Sequence, residues 1–166
     1  MTLPTPSANL NVEALLKELT LDEKVELLAG QGASRTTGLP HRGIPSLLVR
    51  YTCTLLPSDG PHGIRGARSF GRVPSCMLPA ATFMGATFNA DLIRQAENLL
   101  GEEARFRGIH VLLAPTVCLQ RSPLIGRGFE AFGEDPVLSG VLAAAYINGV
   151  QGQGVAACIK HFAAHD

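Results

Sequence analysis

In the second half of the chain, long amphipathic segments alternate with short apolar runs. The spacing of apolar residues predicts a helix capped by Asn89 and continuing through Arg107, and Asp135-Pro136 has the sequence of a helix start. The apolar runs His110–Ala114 and Val155–Ile159 have the length and composition of strands buried on both faces. Strands that alternate with helices in this way predict a parallel sheet in an α/β fold.

The same periodicity predicts which face of each helix is buried. Charged residues should point to water, so we expect the acidic side chains of the helices at the surface. The predicted core positions of the first helix are Leu92, Ala96, Leu99 and Ala104, and those of the second are Leu138, Val141, Leu142 and Ala145. The carboxylates expected at the surface are Glu13, Glu18, Glu23, Glu26, Asp91, Glu97, Glu102 and Glu103.

The first half of the chain carries weaker signals. Residues 1–10 read as a flexible lead-in, after which Asn11 caps a short helix and Thr20 with Glu23 forms the capping box of another. Residues 30–72 are rich in Gly, Pro, Ser and Arg, which predicts loops with at most one short strand near Ile44–Val49. Cys76–Phe88 is expected to hold one strand and a loop.

The amino-acid composition argues against some classes of binding partner. The chain has 166 residues with 14 basic and 14 acidic side chains, and this zero net charge argues against a nucleic-acid or acidic-membrane partner. Four scattered cysteines without a CxxC pair predict reduced, partly buried thiols. No apolar run has the length of a membrane span. The N-terminal residues lack the pattern of a signal peptide, so we expect a cytoplasmic protein, with secretion as the alternative if the N-terminus is incomplete.

Two architectures fit a parallel α/β chain of this kind, namely an open doubly wound sheet and a (β/α)₈ barrel. The glycine fingerprints of phosphate binding are missing, because Arg35 stands where a third glycine would follow Gly30 and Gly32. The missing fingerprint therefore argues against a doubly wound dinucleotide-binding fold.

Three polar clusters follow apolar runs, where ligands bind in parallel α/β folds. They are Ser58–Gly63 with Asp59, Arg121–Glu130 with Arg127, and Lys160-His161. Each alone has an ordinary structural explanation, as a turn, a surface loop or a solvated strand end. Their coincidence at strand ends favours a binding site. Adjacent strand residues face opposite ways, so Lys160 and His161 can serve one ligand only if the backbone there is irregular.

Several long motifs resemble the N-terminal catalytic domain of glycoside hydrolase family 3 β-glucosidases. They are LTLDEKVELLAG, GIPSLL with SDGPHGIRG, LPAATFMGATFN, VLLAPTVCLQRSPLIGRGFEAFGEDPVLSG and VAACIKHFAAHD. The similarity extends from about Leu19 to the last residue. It implies that residues 11–166 are part of a (β/α)₈ barrel domain, cut short of the ~250 residues of a complete barrel.

The resemblance also implies a function and a site. The family hydrolyses β-glucosides from the non-reducing end with retention, and its sugar-binding residues fall on Asp59, Arg127, Lys160 and His161. Carboxylate acceptors and cationic donors suit the hydroxyl groups of a sugar. We therefore expect a β-glucoside or oligosaccharide as substrate, and no cofactor or metal.

Neither catalytic carboxylate of the family is expected in this chain. A retaining glycosidase needs two carboxyl groups ~5–5.5 Å apart. The family's nucleophile is an Asp normally followed by Trp, and this chain has no Trp. Glu130 is expected to orient Arg127 or its loop rather than to attack a sugar.

Residues 48–57 interrupt the resemblance between IPSL and SDGP. Our hypothesis is that they are translated intron sequence, and a genuine loop insertion is the alternative. Sequencing the transcript distinguishes the two, since an mRNA that retains these codons would refute the intron hypothesis.

Two other functions remain as alternatives. One is a non-catalytic sugar-binding remnant. The other is a metal-dependent hydrolase, because His161 and His165 have i, i+4 spacing and Asp166, Asp59 and His62 are further possible ligands. Lys160 beside these residues would repel a cation, which counts against the second alternative.

Overall fold

A computed structural model describes residues 11–31, 35–47, 49–51, 62–64, 74–162 and 165. The proposed lead-in 1–10, Cys53, Asp59 and most of segment 48–57 lie outside the described residues. The helices are α1 (Val12–Glu18), α2 (Leu21–Leu28), α3 (Ala81–Gly85), α4 (Ala90–Phe106) and α5 (Pro136–Gly152), with 3₁₀ turns at Pro40–Arg42 and Gly128–Glu130. The strands are β1 (Gly30–Gln31), β2 (Arg35–Thr36), β3 (Val49–Tyr51), β4 (Val111–Leu113) and β5 (Ala156–Ala157).

Four predicted helix starts are confirmed, each with its side-chain cap. The Asn11, Asn89 and Asp135 side chains accept hydrogen bonds from backbone N–H groups in the first turns of α1, α4 and α5. Thr20 and Glu23 form both hydrogen bonds of a capping box at α2. These residues satisfy N–H groups that the helices leave unpaired.

The main sheet is parallel, as predicted, with strand order β3-β4-β5. The predicted strand at Ile44–Val49 is wrong in position, since the strand is Val49–Tyr51 and Ile44 only bridges to Leu39. The antiparallel pair β1-β2 was not predicted. The described strands form an α/β unit and do not close a barrel.

The predicted buried face of α4 is wrong by one position, apart from Ala104. Leu92 and Leu99 remain 47% and 46% exposed, whereas the next residue in each case is buried. The reason is packing, because α4 lies along α5 and the contact selects one of two neighbouring apolar stripes. The buried residues of α4 are Ile93, Glu97, Leu100, Gly101 and Ala104.

The prediction for α5 is only partly right. Leu142 and Ala145 are buried and Leu138 packs against the core, but Val141 is 52% exposed. Tyr146 and Gly149 are buried instead and complete the face that contacts α4.

The helix in the segment from Cys76 to Phe88 is α3 (Ala81–Gly85), and no strand is assigned there, so the predicted strand is wrong. Cys76 and Cys158 are exposed rather than partly buried, while Cys118 is half-buried, and all three are free thiols. Helix α3 has no side-chain cap, and it is held by tertiary packing of Ala81, Met84 and Gly85.

Glu97 is fully buried, contrary to its predicted surface position. Burial raises the pKa of its carboxyl group well above the ordinary value, and the nearby Tyr146 hydroxyl has a smaller, opposite effect. Within the described residues its oxygens have no hydrogen bond of normal geometry. Burial between α4 and α5 therefore favours the neutral, protonated form of this carboxyl group.

This buried acid should make stability depend on pH. The folded protein holds the Glu97 proton more tightly than the unfolded chain does, because the pKa in the folded state is raised above the ordinary value of 4.5. The free energy of unfolding is therefore highest below pH 4.5 and falls as the pH rises from there through the raised pKa. Glu97→Gln removes the loss. We expect denaturant unfolding to show the variant gaining stability relative to the unmodified protein as pH rises from 5 to 8, by at most about 1.4 kcal/mol per pH unit.

Glu102→Gln is the matched control, since Glu102 lies on the same helix and is exposed. Its stability should follow that of the unmodified protein with pH. If the Glu97→Gln and Glu102→Gln curves are parallel, a neutral buried Glu97 is refuted.

Candidate binding site at the carboxyl ends of two strands

The chain segments after β4 and β5 lie side by side. Thr116 bridges to both Lys160 and Ala131 in parallel orientation. The Val117 N–H donates to the Lys160 carbonyl at 2.8 Å, and the Lys160 N–H donates to the Pro115 carbonyl at 3.0 Å. Two of the three predicted polar clusters therefore meet at one edge of the sheet, as expected for parallel strands. Asp59, of the remaining cluster Ser58–Gly63, lies outside the described residues.

The backbone at Lys160 and His161 is irregular, as predicted. Strand β5 ends at Ala157, before this pair. Both residues are half-buried. The strict alternation of a strand therefore does not apply to this pair.

Arg127 is held by Glu130, which confirms the orienting role predicted for that carboxylate. Arg127 Nε donates to Glu130 Oε1 and Nη2 donates to Oε2, both at 2.7 Å. The Glu130 side chain is 2% exposed, whereas that of Arg127 is 36% exposed. A bidentate pair of this kind fixes the plane of the guanidinium.

A 3₁₀ turn between Arg127 and Glu130 brings the two side chains together, and Gln120 stabilises that turn. The Gln120 amide donates to the carbonyl oxygens of Gly128 at 2.6 Å and Ala131 at 3.2 Å. It also donates to the Thr82 hydroxyl at 2.7 Å. Gly85 of α3 packs directly against the Phe132 carbonyl, where a side chain would collide. Helix α3 therefore supports the Arg127 loop.

His62, from the predicted cluster Ser58–Gly63, is a buried neighbour of the site. The Ala81 N–H donates to His62 Nε2 at 2.7 Å, which places the ring proton on Nδ1. Burial lowers the pKa of His62, the Glu130 carboxylate raises it, and the Lys160 ammonium lowers it. His62 therefore stays neutral at pH 7 and anchors α3 rather than carrying charge.

The charge around His161 is predominantly positive. Its pKa is lowered by burial, then by Arg127, Lys160 and His165, while Glu130 acts in the opposite direction. The imidazole is therefore neutral at pH 7, with two cations close by. A neutral ring beside cationic donors can hydrogen-bond several hydroxyl groups of a polar ligand.

Among the described residues, the buried carboxylates are Glu97 and Glu130. Glu97 lies in the core between α4 and α5, and Glu130 accepts two hydrogen bonds from Arg127.

Cys118 and His165 are neighbours of the site that were not predicted as a group. Cys118 Sγ lies 3.5 Å from His161 Nδ1. The rings of His161 and His165 meet edge to face with centroids 4.4 Å apart. The contact between Cys118 and His161 depends on how the chain segments after β4 and β5 lie side by side, so no local sequence pattern indicated it.

No described helix is both long enough and apolar enough to cross a lipid bilayer.

The family model for the glycosyl hydrolase family 3 N-terminal domain matches residues 55–166. A curated relative from Neosartorya fischeri, named probable beta-glucosidase I, is 49% identical over 157 residues, which are 95% of this chain and 18% of the relative. Beta-glucosidase B of Emericella nidulans is 46% identical over 155 residues, which are 93% of this chain and 17% of that protein. The chain thus spans less than a fifth of these relatives.

Solved structures similar to this chain are also β-glucosidases. The beta-glucosidase of Kluyveromyces marxianus in complex with glucose matches with a TM-score of 0.81 and 43% identity, over 92% of this chain and 17% of that one. Beta-glucosidase 3B of Thermotoga neapolitana in complex with glucose matches with a TM-score of 0.78 and 37% identity, over 92% of this chain and 23% of that one.

Proposed function

Because the chain belongs to glycosyl hydrolase family 3, we propose that it is part of a β-glucosidase that releases terminal, non-reducing β-D-glucosyl units with retention. Two solved relatives carry glucose, which supports this sugar as the ligand. The chain supplies a fraction of those proteins, so the activity proposed is that of the whole enzyme.

The proposed architecture is the N-terminal part of a (β/α)₈ barrel. The resemblance to family 3 β-glucosidases implies a barrel of this kind, and two solved β-glucosidases match this chain with TM-scores of 0.78 and 0.81. In this chain α5 connects two adjacent parallel strands, which is the repeating unit of such a barrel.

The observation that carries the proposal is the Arg127–Glu130 pair beside Lys160 and His161 at one sheet edge. We assign Arg127 and Lys160 as hydrogen-bond donors to sugar hydroxyls, and His161 as a neutral partner. Asp59 is assigned as the carboxylate that accepts hydrogen bonds from two neighbouring hydroxyls, on the strength of the SDGP motif. A wrong epimer would leave buried polar groups unpaired, and this mismatch gives specificity.

In this proposal the nucleophile and the acid/base are supplied from outside these 166 residues. The chain then binds a glucosyl unit without cleaving its bond, which is also what a non-catalytic remnant would do. Location inside the cell, expected from the N-terminal residues, stays a prediction.

Calorimetric titration with D-glucose tests the assignment of Lys160. Loss of one charge-assisted hydrogen bond is worth about 1.5–3 kcal/mol, so Lys160→Met should weaken glucose binding by roughly 10- to 100-fold. Lys17→Met is the matched control, because Lys17 is exposed on α1. Equal glucose affinities for the two variants would contradict the assignment.

A further inference from the structure

The cluster of Cys118, His161 and His165 has the composition of a metal site. One ligand atom from each residue lies within 4.8 Å of the others, and all three side chains are half-buried. We propose that these three residues bind a thiophilic divalent cation such as Zn²⁺. This inference goes beyond the proposed function, since no step of glycoside hydrolysis uses a metal there.

The spacing of the ligand atoms supports a tetrahedral ion. Zn–S bonds of about 2.3 Å and Zn–N bonds of about 2.0–2.1 Å place sulfur and nitrogen about 3.6 Å apart across a tetrahedral angle. The observed separation of Cys118 Sγ and His161 Nδ1 is 3.5 Å. These two atoms therefore already form one edge of the coordination tetrahedron.

His165 can supply the third ligand. Its Nε2 atom is buried and has no hydrogen-bond partner among the described residues. Buried polar atoms are usually paired, so an unpaired imidazole nitrogen in this cluster is a sign of a missing partner. Three protein ligands leave the fourth position to water, as in open zinc sites.

Positive charges close to the cluster oppose the binding of a cation, so only a cation that binds strongly to sulfur suits the site. Arg127 and Lys160 lower the pKa of His161, and the same positive field weakens the binding of any cation. Glu130 opposes that field. On binding, the Cys118 S–H bond breaks, its proton goes to solvent and a sulfur–metal bond forms, so the thiolate offsets one of the two metal charges. A hard cation gains little from sulfur, whereas Zn²⁺ gains much.

The site differs from the metal-dependent hydrolase considered from sequence. That alternative placed His161 and His165 on one helical face with Asp166, and α5 is the last helix of the described residues. Here the second chain segment contributes Cys118, 43 positions away from His161. Because His161 is also a proposed sugar ligand, the cation would occupy the sugar pocket rather than act as a cofactor.

Titration of the chain with Co²⁺, a spectroscopic substitute for Zn²⁺, tests the site. We expect one Co²⁺ per chain, with a thiolate-to-cobalt charge-transfer band that Zn²⁺ removes. Cys118→Ser should abolish the band. His165→Asn removes a direct ligand, so it should weaken Co²⁺ binding by at least the roughly 10- to 100-fold that loss of a group supporting a ligand costs.

Cys76→Ser and Cys158→Ser are the controls, because both thiols are exposed and lie outside the cluster. Both controls should keep the band, and circular dichroism should show every variant folded. A band that survives Cys118→Ser, or its absence from the unmodified chain at millimolar Co²⁺, overturns the proposal. Metal binding is read without sugar, so this result and the glucose titration are independent.

Discussion

Replacing Arg127 by methionine is expected to lower the free energy of unfolding by about 3 kcal/mol and to weaken glucose binding roughly 10- to 100-fold. The stability loss arises because Glu130, 2% exposed, would keep a buried carboxylate without its main partner. Breaking a buried ion pair typically costs about 3–5 kcal/mol of stability. The expected loss lies at the lower end of that range because the Arg127 side chain is 36% exposed. Denaturant unfolding and glucose calorimetry measure the two effects.

The double variant Arg127→Met/Glu130→Gln separates these effects. Removing the stranded charge should restore most of the lost stability, as replacement of whole buried ion pairs often does. It should not restore glucose binding, since the guanidinium donors are still missing. If Arg127→Met alone is as stable as the unmodified protein, the buried pair does not hold the loop as described.

The second large effect is expected at Gly149, where α5 approaches α4 most closely. A Cβ atom there would lie 2.7 Å from the Arg94 carbonyl and 2.8 Å from Glu97 Cβ. Neither backbone nor Cβ atoms can move aside without separating the helices. Gly149→Ala should therefore lower the free energy of unfolding by about 2–3 kcal/mol, a typical penalty for overpacking.

Gly140→Ala on the same helix is the matched control. Gly140 is exposed and a Cβ atom would contact nothing within 4 Å. Alanine loses less backbone entropy than glycine in a helix, so this variant should gain about 0.5–1 kcal/mol. Equal stabilities for the two variants, measured by denaturant unfolding, would mean that α4 and α5 do not pack as closely as described.

Local signals predicted the helices well. Asn89 and Asp135 mark their helix starts because a side-chain cap is a property of a few neighbouring residues. The buried face of α4 was not predictable in the same way. Leu92 precedes Ile93 and Leu99 precedes Leu100, so two neighbouring apolar stripes are nearly equivalent. Burial of an acidic residue, Glu97, on the true stripe made the wrong one look better.

The candidate site was predictable only in part. Motifs and the parallel-strand rule indicated that Arg127 and Lys160-His161 would share a sheet edge, and the chemistry of Glu130 indicated its bond to Arg127. The approach of Cys118 to His161 depends on how two strand ends are juxtaposed, which no local pattern encodes. The helix α3 was missed for the same reason, since Gly85 is fixed by Phe132 from a distant loop.

The central claim is that this chain binds a glucosyl unit and does not cleave its bond. Calorimetric titration of the purified chain with an aryl β-glucoside reports both events at once. The account predicts a saturable heat of binding with no continuing heat of reaction and no release of the aryl alcohol. Steady release of the alcohol, or no binding heat at millimolar glucoside, would contradict it.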